Sequence, residues 1–452
     1  VALPSIRESL HFSIQNLQWV LSGYLLTYGG FMLLGGRAAD LIGRRRVLVA
    51  GTVLFGVASL TAGLAGSEGM LIGARLAQGI GAAMMIPAAL SILTTSFSEG
   101  RDRNTAIGAW GATAGLSSAL GVFLGGVLSE GPGWRWVFFV NLPVCVLDLV
   151  VVFRLVAGER HRSRPANFDA LGALLATSGM LVLIYAIIKA PDVGWGKART
   201  IGGLAGAAAL FAAFALNEAR HPNPLFPFSI LRIRGLAAAD LTQVIAMAGF
   251  YAMFFFITLY MQTVLGFSRI QAGAAYIPTT LGVAISSGIA SKLFVRTGTR
   301  PIIVAGALLG AAGVFWLSHI PATGSYLSDL LPGLLIMSAG LGAVFVGVTT
   351  AAQAGVPPDK AGLAAALINT STWLGGALGI AIFSAISTSR AHHLLASDAT
   401  VHQALTAGFQ RALLACSIAM LAAAVLALRA TNTRGEPAPA APLQVAPVPE
   451  NA

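Results

Sequence analysis

Charge is what this 452-residue sequence has least of. Charged side chains make up 10% of it, against roughly 25% in an ordinary soluble domain. A water-soluble fold needs far more charge than that to cover its surface. Cysteine is almost absent too. Cys145 and Cys416 are the only two, both inside apolar runs, where they read as small core residues rather than a disulfide or a metal pair. There is no Gly-x4-Gly-Lys-Ser/Thr nucleotide loop. The seven histidines are scattered, apart from His392-His393. Nothing therefore points to an enzyme, a cofactor or a metal, and energy for any work must come from an ion gradient. The chain begins at Val1 without the charged, apolar and cleavage regions of a secretory signal. Val1-Ala2-Leu3-Pro4 reads as the last turn of a helix whose upstream part is absent.

What is present is apolar. Hydrophobic residues make up 56% of the sequence. They gather in runs near 17–36, 47–66, 69–95, 105–128, 137–157, 169–190, 200–216, 236–263, 271–294, 301–319, 329–353, 361–388 and 404–428. About 20 helical residues cross the roughly 30 Å of bilayer hydrocarbon. The runs predict an all-α polytopic membrane protein with about 13 spans of a set of 14. The net charge of +11 would suggest nucleic acid in a soluble protein. Here Lys and Arg stand at span ends, which fits lipid and the positive-inside bias instead. Alternate loops carrying Arg37, Arg44 to Arg46, Arg101, Arg160, Arg232, Arg296, Lys360 and Arg429 hold the larger share of cations. That set is expected in the cytoplasm, together with the C-terminus of a plasma-membrane protein.

Four regions are expected. Residues 1–157 form an N-terminal helix bundle with its first helix largely missing. Residues 158–235 hold linkers and an extra pair of helices, 236–429 form a C-terminal bundle, and 430–452 are a disordered Pro/Ala-rich tail. A weak internal repeat links the bundles. Gly43-Arg44-Arg45 with Arg37 upstream aligns with Gly298-Thr299-Arg300 and Lys292, Val295 standing where the first copy has Asp40. Paired helical halves are the mark of a carrier that rocks between two states.

The loop from Gly36 through Asp40, Gly43, Arg44 and Arg45 resembles the cytoplasmic signature of the major facilitator superfamily, with Leu41 in place of the usual basic residue. The resemblance implies a conformational latch at these five residues. Arg75-Leu-Ala-Gln78-Gly79-Ile-Gly81-Ala82 is similar to a second family stretch, whose Arg is linked to proton transfer. An Arg inside a span costs about 2.5–3.5 kcal/mol on insertion scales. Gly108, Gly121, Gly125 and Gly126 resemble the antiporter motif, with Ser117 and Val122 replacing its second Gly and its Pro. The stretch from Trp134 to Pro143, with the extra helix pair, is similar to fourteen-span drug/proton antiporters.

Other residues are read from chemistry alone. Asp148 lies mid-span, where it could carry a proton, face a cationic substrate or simply bond within the bundle. Asp240 sits near the start of its span, where an acid suits a helix N-terminus. Gln78, Tyr251, Phe254, Asn369 and Trp373 are candidates for a substrate cavity, set against lipid contact or core packing as the plainer roles. The resemblance implies proton-coupled efflux of lipophilic or cationic drugs, with a small-molecule substrate, protons and the bilayer as partners and no nucleic acid. A dedicated exporter of one metabolite and a non-transporting membrane sensor stand as alternatives.

Overall fold

The computed structural model describes residues 2–96, 121, 124–156, 169–222, 224, 230, 232–233, 235–354, 356, 361–397 and 400–434. Every long element among them is a helix. Two short ones, α1 (Leu3–Leu10) and α2 (Ile14–Leu17), precede α3 (Trp19–Ile42), α4 (Arg44–Gly63) and α5 (Glu68–Ser96). Then come α6 (Trp136–Phe139) and α7 (Asn141–Leu155), the pair α8 (Ala170–Val193) and α9 (Ala198–Arg220), and α10 (Leu236–Thr263). The chain continues with α11 (Arg269–Ala274), α12 (Ile277–Thr297), α13 (Thr299–Leu317), α14 (Leu331–Gln353), α15 (Ala361–Leu395) and α16 (Val401–Ala427).

Eleven helical stretches among the described residues are long and apolar enough to cross a bilayer. Helix α3 adds 24 residues, about 36 Å at 1.5 Å per residue. All but one of the expected apolar runs are thus seen as long helices. The exception, near 105–128, lies mostly outside the described residues, with helix visible at Gly121 and again at 124–130.

Helices α3, α4 and α5 pack together with α6 and α7, and α10 packs with α12 to α16, giving two bundles. Helix α3 meets α15 across the seam between them, and α8 lies against both. The extra pair is therefore built into the join through α8, while α9 packs on α8 from outside. Close approach within the second bundle depends on Gly375 and Gly379. A Cβ at either would run into the backbone of Val244 or Ala248 on α10, which is how small residues let membrane helices touch without a hydrophobic drive.

The repeat inferred from sequence has a structural counterpart. Gly43 joins α3 to α4 with φ 108° and ψ 131°, and Gly298 joins α12 to α13 with φ 90° and ψ 164°. Each N–H closes the preceding helix, on Ala39 and Phe294 respectively. Only glycine takes such angles at low cost, so both positions must be glycine for the same reason.

Two expectations change. Pro4 does not close a helix. It lies within α1, which runs on to a left-handed end at His11. Nor does the ordered chain stop at 430. Thr431 and Thr433 carbonyls accept from the Thr299 hydroxyl and N–H at 2.9 Å each, and Asn432 Oδ1 accepts from Arg300 N–H at 3.1 Å. Residues 430–433 thus strap the Gly298 turn. Residues 435–452 lie outside the described part.

Candidate functional site

The Gly43 turn holds the first candidate group. A Cβ at Gly36 would come into ordinary contact with Pro87 of α5. Arg45 donates to the Phe153 carbonyl at 3.1 Å and lies 5.2 Å from that residue's ring centre, tying the turn to the end of α7. Arg44 is half-buried beside it. The side chains of Arg37 and Asp40 fall outside the described residues, although both are helical in backbone.

Arg75 is held inside the first bundle and does not reach out to the interface. Its Nε donates to the Val20 carbonyl at 2.7 Å and its Nη1 to Gln78 Oε1 at 2.8 Å. The guanidinium lies 4.4 Å from the Tyr24 ring centre and 5.8 Å from that of Phe138, a cation–π pairing that strengthens when water is excluded. Gln78 Nε2 donates onward to Ser59 Oγ at 2.6 Å. One polar chain therefore links α3, α5 and α4. Gln78, expected at a cavity, is fully buried and has both ends of its amide engaged in this chain.

The two intramembrane acids sit differently. Asp148 accepts from Thr52 Oγ1 at 2.7 Å, on the seam between α4 and α7. Its helix exposes Val144, Leu147, Val151 and Leu155, so α7 presents most of its surface to lipid. Asp240 is only 7% exposed, between α10 and α15. Ser371 Oγ approaches Asp240 Oδ1 at 3.3 Å, and Oδ2 has no partner among the described residues. Gln243 donates to Thr372 Oγ1 at 2.9 Å one turn away. Helix α10 begins at Leu236, after Gly235 with φ 82°, so Asp240 lies beyond the first turn and does not cap it. A carboxylate with one free oxygen in hydrocarbon is costly, and such residues are by default functional candidates.

An aromatic cluster fills the seam between the bundles. Tyr28 of α3 lies 4.4 Å from Trp373 of α15, centre to centre, and Tyr251 of α10 lies 6.1 Å from Trp373. Tyr24 adjoins Tyr28 at 5.7 Å. Gly29 makes room, since a Cβ there would come within 2.9 Å of Trp373 Cβ. The indole Nε1 of Trp373 is buried without a hydrogen-bond partner among the described residues. Phe254 stacks on Tyr276 at 3.9 Å, deeper in the second bundle. Asn369, one turn from Trp373, is exposed. The structure thus brings Tyr251 and Trp373 together with Tyr28, joins Phe254 to them through Phe250, which lies 5.4 Å from Tyr251 and 5.8 Å from Phe254, and places Gln78 in the Arg75 chain instead.

The antiporter-type segment meets the second bundle on the face opposite the Gly43 turn. Gly126 lies against Arg269 and Ile270, a Cβ there coming within 2.8 Å of the Arg269 carbonyl oxygen. Arg269 Nη1 donates to the Ser129 carbonyl at 2.9 Å, and Ile270 N–H donates to Glu130 Oε2 at 2.8 Å. These bonds hold the Glu130 carboxyl below its ordinary range, the Ile270 N–H being the main cause. A Cβ at Gly121 or Gly125 would meet nothing within 4 Å among the described residues, and the Gly125 carbonyl accepts from the Ser129 hydroxyl. Gly108 lies outside them.

Two helical bundles, an intramembrane Arg in one, a half-bonded Asp in the other and aromatic rings at their seam define a membrane carrier. Residues 1–380 match the Major Facilitator Superfamily, and the chain belongs to it. Among its relatives, it is 37% identical over 450 residues to the puromycin resistance protein pur8 of Streptomyces alboniger, covering 97% of this chain and 88% of that one. It is 38% identical over 392 residues to the cephamycin export protein CmcT of Amycolatopsis lactamdurans, covering 86% and 81%. In fold it is similar to a bacterial homolog of the human lysosomal transporter Spinster in an inward-facing, unoccupied conformation, with TM-score 0.66, 18% identity and 95% and 91% coverage.

Proposed function

We propose that this carrier exports lipophilic or cationic antibiotics across the plasma membrane in exchange for protons. The observation that carries the reading is the seam cluster of Tyr28, Tyr251 and Trp373, with an indole N–H that has no partner among the described residues. Polarisable rings with one spare donor suit bulky, partly apolar compounds of varied shape. The printed names of the relatives, resistance and export proteins for puromycin, cephamycin and tetracenomycin C, support export as the direction. By the positive-inside bias the Gly43 and Gly298 turns and the C-terminus face the cytoplasm. The bonds of Ser129 and Glu130 to α11 then close the outer face.

Proton coupling needs a carboxylate that can lose its charge when the bundles rock. Asp240 offers this at the α10–α15 seam, and Asp148 offers it at the α4–α7 seam. Arg75 acts as the fixed cation of the first bundle, orienting α3 against α5. The Gly36–Arg45 turn acts as a latch at the inner face, with Asp40 as its acid. A proton moving inward gains about 2.3 kcal/mol per 100 mV of potential and about 1.4 kcal/mol per unit of pH difference; against a monovalent cation leaving, the potential cancels and the pH difference does the work. A second reading, a dedicated exporter of one compound, is favoured by relatives whose names each carry a single antibiotic.

Both readings are tested with the full chain in sealed vesicles, with and without an imposed pH gradient. Gradient-driven efflux of puromycin and of two unrelated cationic dyes is the expected result. Efflux of one compound alone supports the dedicated exporter, and equal flux with the gradient collapsed overturns proton coupling.

A further inference from the structure

A cleft of about 400 Å³ lies between the α8–α9 turn, the end of α15 and the outer part of α16. Trp195, Ile386, Ser389, Arg390, His393 and Arg411 line it. It is remote from the seam cluster and from the Gly43 turn, and it opens on the membrane face opposite that turn. We propose that it binds the headgroup phosphate of an acidic phospholipid, whose acyl chain lies along the exposed side of α16.

Three observations carry this. First, the cations converge from two helices. Arg390 lies in the last two turns of α15 and Arg411 comes from α16, both are exposed, and neither has a carboxylate partner among the described residues. Two guanidiniums with planar donor forks suit a phosphate diester. Second, the depth is right. From Arg411 to Arg429 helix α16 and its end carry no charge. Those 18 steps span about 27 Å, close to the roughly 30 Å of hydrocarbon. Arg411 therefore stands at the hydrocarbon boundary, where phosphates lie, and Trp195, exposed in the α8–α9 turn, sits at the level favoured by interfacial aromatics. Third, an apolar track leads away from the cations. Ile418 and Val425, seven and fourteen residues past Arg411, share its side of the helix and are exposed, and Ile382 lies exposed one turn below Ile386. A free anion would use the arginines and leave the track unoccupied. A lipid uses both.

The proposal rests on the membrane-spanning fold and not on the export reading. It is tested by native mass spectrometry of the full chain titrated with phosphatidylglycerol, with phosphatidylcholine of the same acyl chains, and with inorganic phosphate. Wild type should retain phosphatidylglycerol over phosphatidylcholine by about tenfold or more, given two cations at the surface. That preference should vanish in the Arg390→Gln/Arg411→Gln double variant and survive in the Arg390→Lys/Arg411→Lys pair. A second readout leaves the arginines intact. Brominated phosphatidylglycerol should quench wild-type fluorescence more than that of Trp195→Phe, with no such difference for brominated phosphatidylcholine. Equal retention of both lipids by wild type overturns the proposal. So does an unchanged preference in the Gln pair. Displacement of the bound lipid by inorganic phosphate makes the cleft a simple anion site and overturns the lipid assignment.

Discussion

The two bundles share a turn and differ in the charge they bury. Gly43 and Gly298 take nearly the same backbone shape at corresponding helix joins. Yet the first bundle holds a cation, Arg75, with its donors engaged by Val20 and Gln78, while the second holds an acid, Asp240, with an oxygen to spare. A cation held by two hydrogen bonds and the face of Tyr24 gains little by moving and suits a fixed part. An acid with a free oxygen, bonded only to a hydroxyl, can take up a proton without breaking a strong ion pair. The scaffold repeats, and the polar residues divide the labour between its halves.

The sharpest way to break this comparison is to remove each acid in turn. Asp240→Asn should abolish gradient-driven efflux, by about tenfold or more, while substrate still binds, because an intramembrane carboxylate of this kind is the expected proton site. Asp148→Asn should cost much less, since its carboxyl is bonded to Thr52 at a lipid-facing seam. Transport and dye binding in reconstituted vesicles measure both. A dead Asp148→Asn beside an active Asp240→Asn reverses the assignment and moves coupling to the first bundle.

Next in size is the cation. Arg75→Lys keeps the charge and loses the fork that reaches Val20 and Gln78 together. Efflux should fall several-fold with its pH dependence unchanged, because a positioning cation alters rate and not the titrating group. A shifted pH profile would make Arg75 part of the proton path. The smallest effects belong to the turns. Gly43→Ala and Gly298→Ala should each lower stability in detergent by about 1–3 kcal/mol, the scale of cost for holding a side chain in a backbone region that only glycine adopts freely, and Gly298→Ala also crowds Asn432. Asp40→Asn should slow transport while expression stays normal, a loss with no counterpart at Val295 in the second turn. Full transport by Asp40→Asn would remove the latch from the first turn.

The helices were legible in the sequence because hydrocarbon demands long apolar runs, and the ends near 44, 236, 299 and 427 follow from Gly and charged residues at the joins. The Gly43 turn was legible because its glycine has a backbone reason. Asp240 was read as a helix-start acid, since its depth depends on where α10 begins, and that is set by the left-handed Gly235. The Thr370-Ser371-Thr372 run was the signal that a polar partner waited on another span. Tyr28 could not be matched to Trp373 by any spacing, because their meeting depends on how α3 crosses α15. Gln78 looked like a cavity residue from its helix face alone, and only the positions of Ser59 and Arg75 assign it to the bundle interior.

The strap of residues 430–433 also sets an order of events. Its bonds join Thr431 to Thr299 and Asn432 to Arg300, partners 132 residues apart in each case. Contacts between residues so far apart form late. During synthesis the Gly298 turn leaves the ribosome long before its cover exists. It must wait while α14, α15 and α16 are made, so that end of the second bundle stays uncovered until residues 430–433 have followed α16.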